Sequence, residues 1–213
     1  MNSRYPGYDV LSKRHGLSWN EVTRRVVDAR LAAPREPAFF TGPQWKTLQR
    51  LCDRIIPQPH DRPPVPVAAY VDQKMQKFGA AGTRIEPMPW DGEAWQRALD
   101  ALDIEAQGAY DTAFHRLVDA DADALLQRMQ AGELHDAAWA NVPPKLFFAK
   151  RVLMDISEAY YSHPTAWSEI GFGGPASPRG YVRMDANRRD SWEAQEAKPG
   201  KWAQAMRENR NVR

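Results

Sequence analysis

The side chains that most often catalyse reactions or bind metals are scattered in this sequence. The histidines stand at positions 15, 60, 115, 135 and 163, so none forms the pair four residues apart that binds zinc on a helix. The acidic run at 119–123 lacks the glycine and the closing glutamate of a calcium-binding loop. No serine lies in the context of a nucleophile elbow. These patterns predict a chain with no catalytic residue, no metal site and no cofactor site of its own.

The cysteine content limits the chemistry further. Cys52 is the only cysteine, which excludes an internal disulfide and a multi-cysteine zinc or iron–sulfur site. It lies on the apolar face of a predicted helix, where a thiol acts as a small hydrophobic side chain. No window approaches eighteen consecutive apolar residues, so we predict no membrane-spanning helix.

Charge is distributed unevenly along the 213 residues. Residues 1–35 carry seven basic and three acidic side chains, and residues 179–213 carry nine and five, while the stretch between them has a net charge of −6. The basic residues are interleaved with acidic ones and form no stripe on a helix, which disfavours nucleic acid as a partner. The pattern favours basic arms that lie against an acidic body or an acidic partner.

Helical periodicity fills the middle of the chain. In FFTGPQWKTLQRLCDRIIPQP, residues 39–59, Thr41 and Gln44 have the spacing of a capping box. Apolar residues then recur every three or four positions until Pro57 ends the helix. A helix is predicted here with Leu48, Leu51 and Cys52 facing a core.

Further helices are predicted downstream. They cover VPVAAYVDQKMQKF at 65–78, the run from about 93 to 114, ADADALLQRMQAG at 120–132 with Asp119 as N-cap and Gly132 closing the C-terminus, and PPKLFFAKRVLMDISEAYY at 143–161. A glycine at position 108 could divide the second of them. The fold class that follows is all-α, an irregular bundle of about six helices with extended N-terminal and C-terminal arms.

The chain divides into three regions on this reading. Residues 1–38 form an N-terminal arm with one short helix, for which Ser18 and Glu21 have the spacing of a capping box. Residues 39–162 form the helical body, and residues 163–213 form a C-terminal arm rich in glycine, proline and aromatic residues. The N-terminal arm is too apolar for a disordered leader, and we expect it to pack on the body or on a partner.

The C-terminal arm begins with HPTAWSEIGFGGPASPRGY, residues 163–181. Its aromatic side chains have two interpretations. They pack into the hydrophobic core of the chain's own helical body, or they act as anchors that are buried in an interface with another chain. The density of aromatic residues between Tyr160 and Trp202 favours anchors. Trp167 is the predicted main anchor, and Arg179 is a candidate to pair with an acid or with backbone carbonyls of the partner.

Two stretches resemble a known family. FFTGPQWKTLQRLCDRIIPQP with the proline-rich link after it, and AYYSHPTAWSEIGFGGPASPRGYVRM with the later DSWEA, are similar to the gluconate 2-dehydrogenase subunit 3 family over about residues 39–193. These proteins are small subunits of flavin-dependent sugar and polyol dehydrogenases. The resemblance implies an accessory role beside an FAD-bearing large subunit of the glucose-methanol-choline (GMC) type, and a cytochrome c subunit often accepts the electrons.

The resemblance also implies that the aromatic, glycine-rich segment docks on the large subunit. Glycines would permit close backbone approach and positive φ, and the aromatic side chains would supply anchors. The predicted docking residues are Tyr160, Tyr161, His163, Pro164, Trp167, Ile170, Gly171, Phe172, Gly173, Gly174, Pro175, Arg179, Gly180, Tyr181 and Trp192.

The sequence is compatible with more than one cellular location and more than one role in the complex. Many family members begin with a twin-arginine export signal, but Arg24 and Arg25 here are followed by a stretch interrupted by charges. We therefore expect a cytoplasmic complex, or export with the partner to the periplasm. A permanent subunit is the favoured role, an assembly or export chaperone that leaves after maturation is the alternative, and a stand-alone helical enzyme is a third reading.

Overall fold

A computed structural model describes residues 3–34, 36–78, 84–134, 136–177, 180, 182, 186 and 188–212. The α-helices in these residues are α1 (Glu21–Leu31), α2 (Gly42–Ile55), α3 (Val67–Phe78), α4 (Asp91–Tyr110), α5 (Asp119–Ala131), α6 (Pro144–Phe147), α7 (Leu153–Tyr161), α8 (Pro164–Ile170) and α9 (Trp202–Asn209). The described residues contain no β-strand, only an isolated parallel bridge between Trp19 and Ser177. The predicted all-α class is confirmed.

The chain forms two compact units. The central unit comprises residues 34–160, and the terminal unit combines both chain ends, residues 1–33 and 161–213. The sequence suggested two separate arms around a body. In the structure, residues 3–33 of the N-terminal arm and the described residues of the C-terminal arm belong to one unit, and the end of the N-terminal arm belongs to the central unit.

The core of the central unit is built on α2 and α4. Gln44 Oε1 accepts the backbone N–H of Thr41 at 3.1 Å, so the predicted capping box forms at the start of α2. The indole of Trp95 in α4 is fully buried and meets the ring of Phe147 edge-on at 5.0 Å. Apolar residues at helical spacing are therefore buried as the sequence predicted. Those on α2 are Leu48, Leu51 and Cys52.

Buried charges join three helices of this unit. The Asp155 carboxylate on α7 accepts the Trp95 indole N–H at 2.8 Å and the Lys74 ammonium of α3 at 3.0 Å. Arg151 forms an ion pair with Asp91 at 2.5 Å, with both side chains almost fully buried. Removing one partner of such a pair leaves an uncompensated buried charge, so these contacts constrain how α3, α4 and residues 151–155 pack together.

The predicted helix at 143–161 forms, but it contains a π-helical turn at Phe148–Val152 between α6 and α7. Buried residues in this stretch come in pairs at 147–148, 151–152, 155–156 and 159–160. That spacing of four residues exceeds the 3.6 residues of an α-helical turn, so the buried face of a regular helix would drift around its axis. One extra residue in a π turn keeps the buried face on the core.

Several helix ends differ from the prediction. Asp119 is the first residue of α5 rather than its N-cap, because its carboxylate binds Arg50 at 2.8 Å and Arg54 at 2.6 Å on α2. Helix α4 continues through Gly108 and ends at Tyr110, where Asp111 adopts a left-handed conformation. Gly132 ends α5 with φ of 84°, as predicted.

The terminal unit has its own buried cluster. Its members come from the N-terminal segment, α1, α8 and the C-terminal end of the chain: Tyr8, Val10, Trp19, Val27, Trp167 and Val212. Helix α1 is capped by Asn20, whose side chain accepts the N–H of Thr23 at 2.8 Å, so the predicted cap at Ser18 is wrong. Ser18 is instead buried. Among the described helices, none combines the length and the apolar character needed to cross a bilayer.

Candidate functional site

The turn that follows α8 is closely covered by an N-terminal strap, residues 3–20. Gly171 has φ of +69°, and a Cβ atom there would lie 2.5 Å from the Tyr5 ring. Gly174 has φ of +68°, and its Cβ would lie 3.0 Å from Val10 Cγ2. Only glycine combines the left-handed backbone with this close approach. The glycines of this turn therefore make room for side chains of the strap.

Lys13 fixes the strap from inside the terminal unit. Its side chain is fully buried, and its ammonium donates to the backbone carbonyls of Gly173, at 3.3 Å, and Trp192. The same ammonium lies 5.7 Å from the centroid of the Tyr8 ring. A buried charge needs such acceptors, so Lys13 ties the strap to two separate points of the C-terminal segment.

Hydrogen bonds along the strap continue this attachment. Tyr8 Oη donates to the carbonyl of Phe172 at 3.1 Å, and Val10 N–H donates to Ser168 Oγ at 3.1 Å. Near the C-terminus, Asn209 Nδ2 donates to the carbonyl of Pro6 at 2.9 Å. These contacts span more than 150 residues of sequence, which is why no local pattern predicted them.

Trp167, the predicted main anchor, is buried within the terminal unit. Its side chain is 4% exposed, its indole N–H donates to the carbonyl of Tyr161 at 2.7 Å, and Phe172 packs edge-on against it at 5.8 Å. The Arg30 guanidinium lies 5.4 Å from the ring and donates to the carbonyl of Ser162 at 2.8 Å. Trp167 is thus a core residue of the terminal unit in this structure, because its neighbours fill all sides of the indole.

Helix α8 explains how Trp167 becomes buried. Read as a loop, residues 163–170 would present Trp167 outward, whereas the helix turns it into the cluster. Pro164 in the first turn and Gly171 in a left-handed conformation at the end are ordinary helix-boundary signals. His163 caps the helix, since its Nδ1 accepts the N–H of Thr165 at 3.2 Å. These signals could have identified the helix from the sequence.

The other predicted docking residues fall into distinct environments. Tyr160 is buried in the central unit, where its hydroxyl accepts a hydrogen bond from Arg62 at 3.0 Å. Tyr161, Ile170 and Phe172 are exposed. Gly180 has a positive φ, and no described residue lies within 4 Å of where its Cβ atom would be. Arg179 and Tyr181 lie outside the described residues. The remaining residues, His163, Pro164, Gly173, Gly174, Pro175 and Trp192, are buried or partly buried. That these residues contact a partner stays a prediction.

Exposed apolar surface is concentrated in the terminal unit. Nine of the fourteen large hydrophobic side chains exposed in the described part of the chain belong to it: Leu17, Val22, Val26, Leu31, Tyr161, Ile170, Phe172, Val182 and Trp202. The same unit carries fifteen lysines and arginines against nine aspartates and glutamates, whereas the central unit carries fourteen against eighteen. Apolar side chains on a basic background are typical of a surface that binds an acidic partner.

An ion pair links the strap to α1. Arg14 binds both carboxylate oxygens of Asp28, and these hydrogen bonds hold the pKa of Asp28 below its usual range. A carboxyl group with a lowered pKa in the folded state stabilises that state at neutral pH. The contribution is lost as the pH falls through the lowered pKa.

We expect the Asp28→Asn substitution to reveal this dependence. At neutral pH the variant should unfold at a lower urea concentration than the wild-type chain, because a neutral amide cannot accept two charge-assisted hydrogen bonds from Arg14. The difference in midpoint should shrink as the pH falls through the lowered pKa of Asp28, since the carboxyl group is then protonated in the folded chain as well as in the unfolded one. Urea titrations of both proteins at several pH values measure it; a constant difference would contradict the assignment.

In the central unit, the cysteine lies in the core and the potential metal ligands are dispersed. Cys52 is buried on α2, and burial, with a smaller effect of the Asp53 carboxylate, raises the pKa of its thiol. A thiol in this state is a poor nucleophile. Across the described residues, no three or more histidine, cysteine, aspartate or glutamate side chains are grouped so that they could hold a metal ion.

Comparison with known proteins identifies the family. A search of curated proteins and a search of solved structures returned no match. The profile of the family described as Gluconate 2-dehydrogenase subunit 3 matches residues 43–174. The match begins in the first turn of α2 and ends at Gly174, so it includes α8 and the turn but not the strap. The chain therefore belongs to the gluconate 2-dehydrogenase subunit 3 family.

Proposed function

We propose that this chain is the non-catalytic small subunit that binds and stabilises the FAD-bearing large subunit of a GMC-type sugar, polyol or glycoside dehydrogenase. The observation that carries the proposal is membership in the gluconate 2-dehydrogenase subunit 3 family. This membership indicates an accessory subunit of a dehydrogenase complex. The flavin and the oxidation chemistry belong to the large subunit in this proposal. A cytochrome c is the proposed electron acceptor of that large subunit.

The surface of the terminal unit supports the proposal. Its exposed apolar residues include Ile170 and Phe172, which lie within the family-matched region. Stable interfaces combine an apolar centre with a polar rim, and the basic excess of this unit would supply charged groups for such a rim. The site therefore suits binding of a protein rather than turnover of a small substrate.

Co-expression with a GMC-type large subunit from the same genome tests the proposal. The affinity-tagged chain should recover that subunit in equimolar amount, with flavin detected after denaturation of the complex. The tagged chain purified alone should carry no flavin and no metal, and should not reduce artificial electron acceptors with sugars. The matched control is the large subunit expressed without this chain, which should be less soluble or lose its flavin faster.

The outcomes separate the alternatives. Equimolar recovery with bound flavin supports a permanent subunit. Capture of only the flavin-free large subunit, with release on FAD loading, would replace that role with the assembly chaperone. Failure to bind any GMC-type large subunit encoded in the genome would contradict the proposal, as would dehydrogenase activity of this chain alone.

A further inference from the structure

Two exposed side chains flank the glycine on which the strap packs. Ile170 is the last residue of α8 and is 46% exposed, and Phe172 follows Gly171 and is 40% exposed. The Tyr5 ring lies directly against Gly171, so close that a Cβ atom there would meet it at 2.5 Å. The strap and the turn thus build one apolar surface from residues that are more than 160 positions apart in sequence.

We propose that Tyr5, Ile170 and Phe172 form a composite docking surface that inserts into an apolar depression on an acidic face of the catalytic subunit of the dehydrogenase complex. This inference rests on the proposed function and assigns its contact surface. It shifts the anchor role from Trp167, which the structure buries, to the side chains that flank Gly171.

The surface is held in one conformation before any partner binds. Gly171 ends α8 in a left-handed conformation, Tyr8 Oη holds the carbonyl of Phe172 at 3.1 Å, and the Phe172 ring packs on Trp167 at 5.8 Å. A preorganised surface loses little side-chain entropy on association. Trp167 therefore contributes to binding by fixing the Phe172 ring, and Lys13 contributes by holding the carbonyl of Gly173. Neither side chain touches the partner.

Charge selects the kind of partner. The terminal unit has six more basic than acidic side chains, although the central unit is acidic. Arg4 lies 5.8 Å from the centroid of the Tyr5 ring and pairs with Glu196 on an exposed part of the surface. Because Glu196 neutralises Arg4 locally, attraction to an acidic partner comes from the basic excess of the whole unit, which steers association at low salt.

The surface combines a shared part with a part particular to this chain. Ile170 and Phe172 lie inside the family-matched region, residues 43–174, and Tyr5 lies outside it. The turn would therefore bind a feature common to catalytic subunits, while the strap would select among them. Specificity of this kind depends on the difference in affinity between partners rather than on affinity alone.

Ile170→Glu tests the surface, and Ile104→Glu is its matched control. Both isoleucines are 46% exposed, but Ile104 lies on α4 of the central unit. In complexes with the GMC-type large subunit, we expect Ile170→Glu to raise Kd by about tenfold or more, since a charge at the centre of an interface is strongly unfavourable. Ile104→Glu should bind as the wild-type chain does. Tyr5→Ala should weaken binding in the same direction as Ile170→Glu.

The readouts are Kd by interferometry, the melting temperature of each variant alone, and the mass of the chain in solution. If the wild-type chain binds and Ile170→Glu binds with the same Kd, the composite surface is overturned while the proposed function stays intact. Absence of binding by the wild-type chain would overturn both. A wild-type dimer that becomes monomeric with Ile170→Glu would show that a second copy of this chain occupies the surface, and would also overturn the inference.

Discussion

Deletion of residues 1–20 is expected to unfold the C-terminal part of the terminal unit, while the central unit keeps its helices. The strap contributes Tyr8, Val10 and Trp19 to the six-residue cluster of that unit, and all three are buried. Burial of one large apolar side chain contributes about 1.5 to 3 kcal/mol. Loss of three therefore removes an amount comparable with the total stability of a small domain, at about 5 kcal/mol or more.

Hydrogen exchange with peptide resolution measures this result. Residues 190–212 should lose protection in the deleted chain, because the hydrogen bond that Asn209 donates to Pro6 and those that Ser12 and Lys13 donate to this segment are gone. Peptides from α2 and α4 should keep their protection. Unchanged protection of residues 190–212 would show that the C-terminal segment folds without the strap.

A pair of glycine variants tests the same contact without a deletion. Gly171 and Gly200 both have positive φ, +69° and +72°, so alanine strains the backbone at either position. A Cβ at Gly171 would meet the Tyr5 ring, whereas nothing lies within 4 Å of a Cβ at Gly200. Gly171→Ala should therefore lower the melting temperature more than Gly200→Ala does, and adding Tyr5→Ala to Gly171→Ala should recover part of the difference. Equal losses would mean that the strap does not press on the turn.

Trp167→Ala is expected to destabilise the terminal unit by about 3 to 5 kcal/mol, the usual cost of removing a buried tryptophan. The substitution leaves a cavity among Val10, Trp19 and Phe172, and it removes the hydrogen bond to the carbonyl of Tyr161. Urea unfolding of the isolated chain, followed by circular dichroism and by exchange in residues 161–175, measures the loss.

Trp202→Ala is the control for that experiment. Trp202 belongs to the same unit but is 38% exposed in the first turn of α9, so its removal should cost much less. If Trp167→Ala melted as the wild-type chain does and failed only in partner binding, the anchor role suggested by the sequence would be right, and the core role seen in the structure would not.

The sequence predicted the helices of the central unit well, for a local reason. The capping box of Thr41 and Gln44, the left-handed Gly132 and the spacing of Leu48, Leu51 and Cys52 are all encoded within one or two helical turns. The π turn was not predicted, because its cause is the four-residue repeat of buried pairs, which a reading of apolar residues alone does not separate from the α-helical period.

The terminal unit was harder to predict because its contacts are not local. The glycines of the turn could be recognised as sites of close approach, but the sequence does not say that the approaching atoms belong to Tyr5 and Val10. Lys13 stands in a polar stretch and gives no sign that its ammonium is buried. Trp167 was assigned to a partner because α8 was not recognised, although Pro164 and Gly171 mark both of its ends.

Hydrogen exchange of this chain, alone and in complex with a GMC-type large subunit, tests the central claim that the chain is an accessory subunit that docks through its terminal unit. The account predicts a stoichiometric complex in which protection rises in peptides that cover residues 4–8 and 168–173, with no change in peptides around Ile104 of α4. A stable complex in which new protection is confined to the central unit, or no complex with any such large subunit, would contradict it.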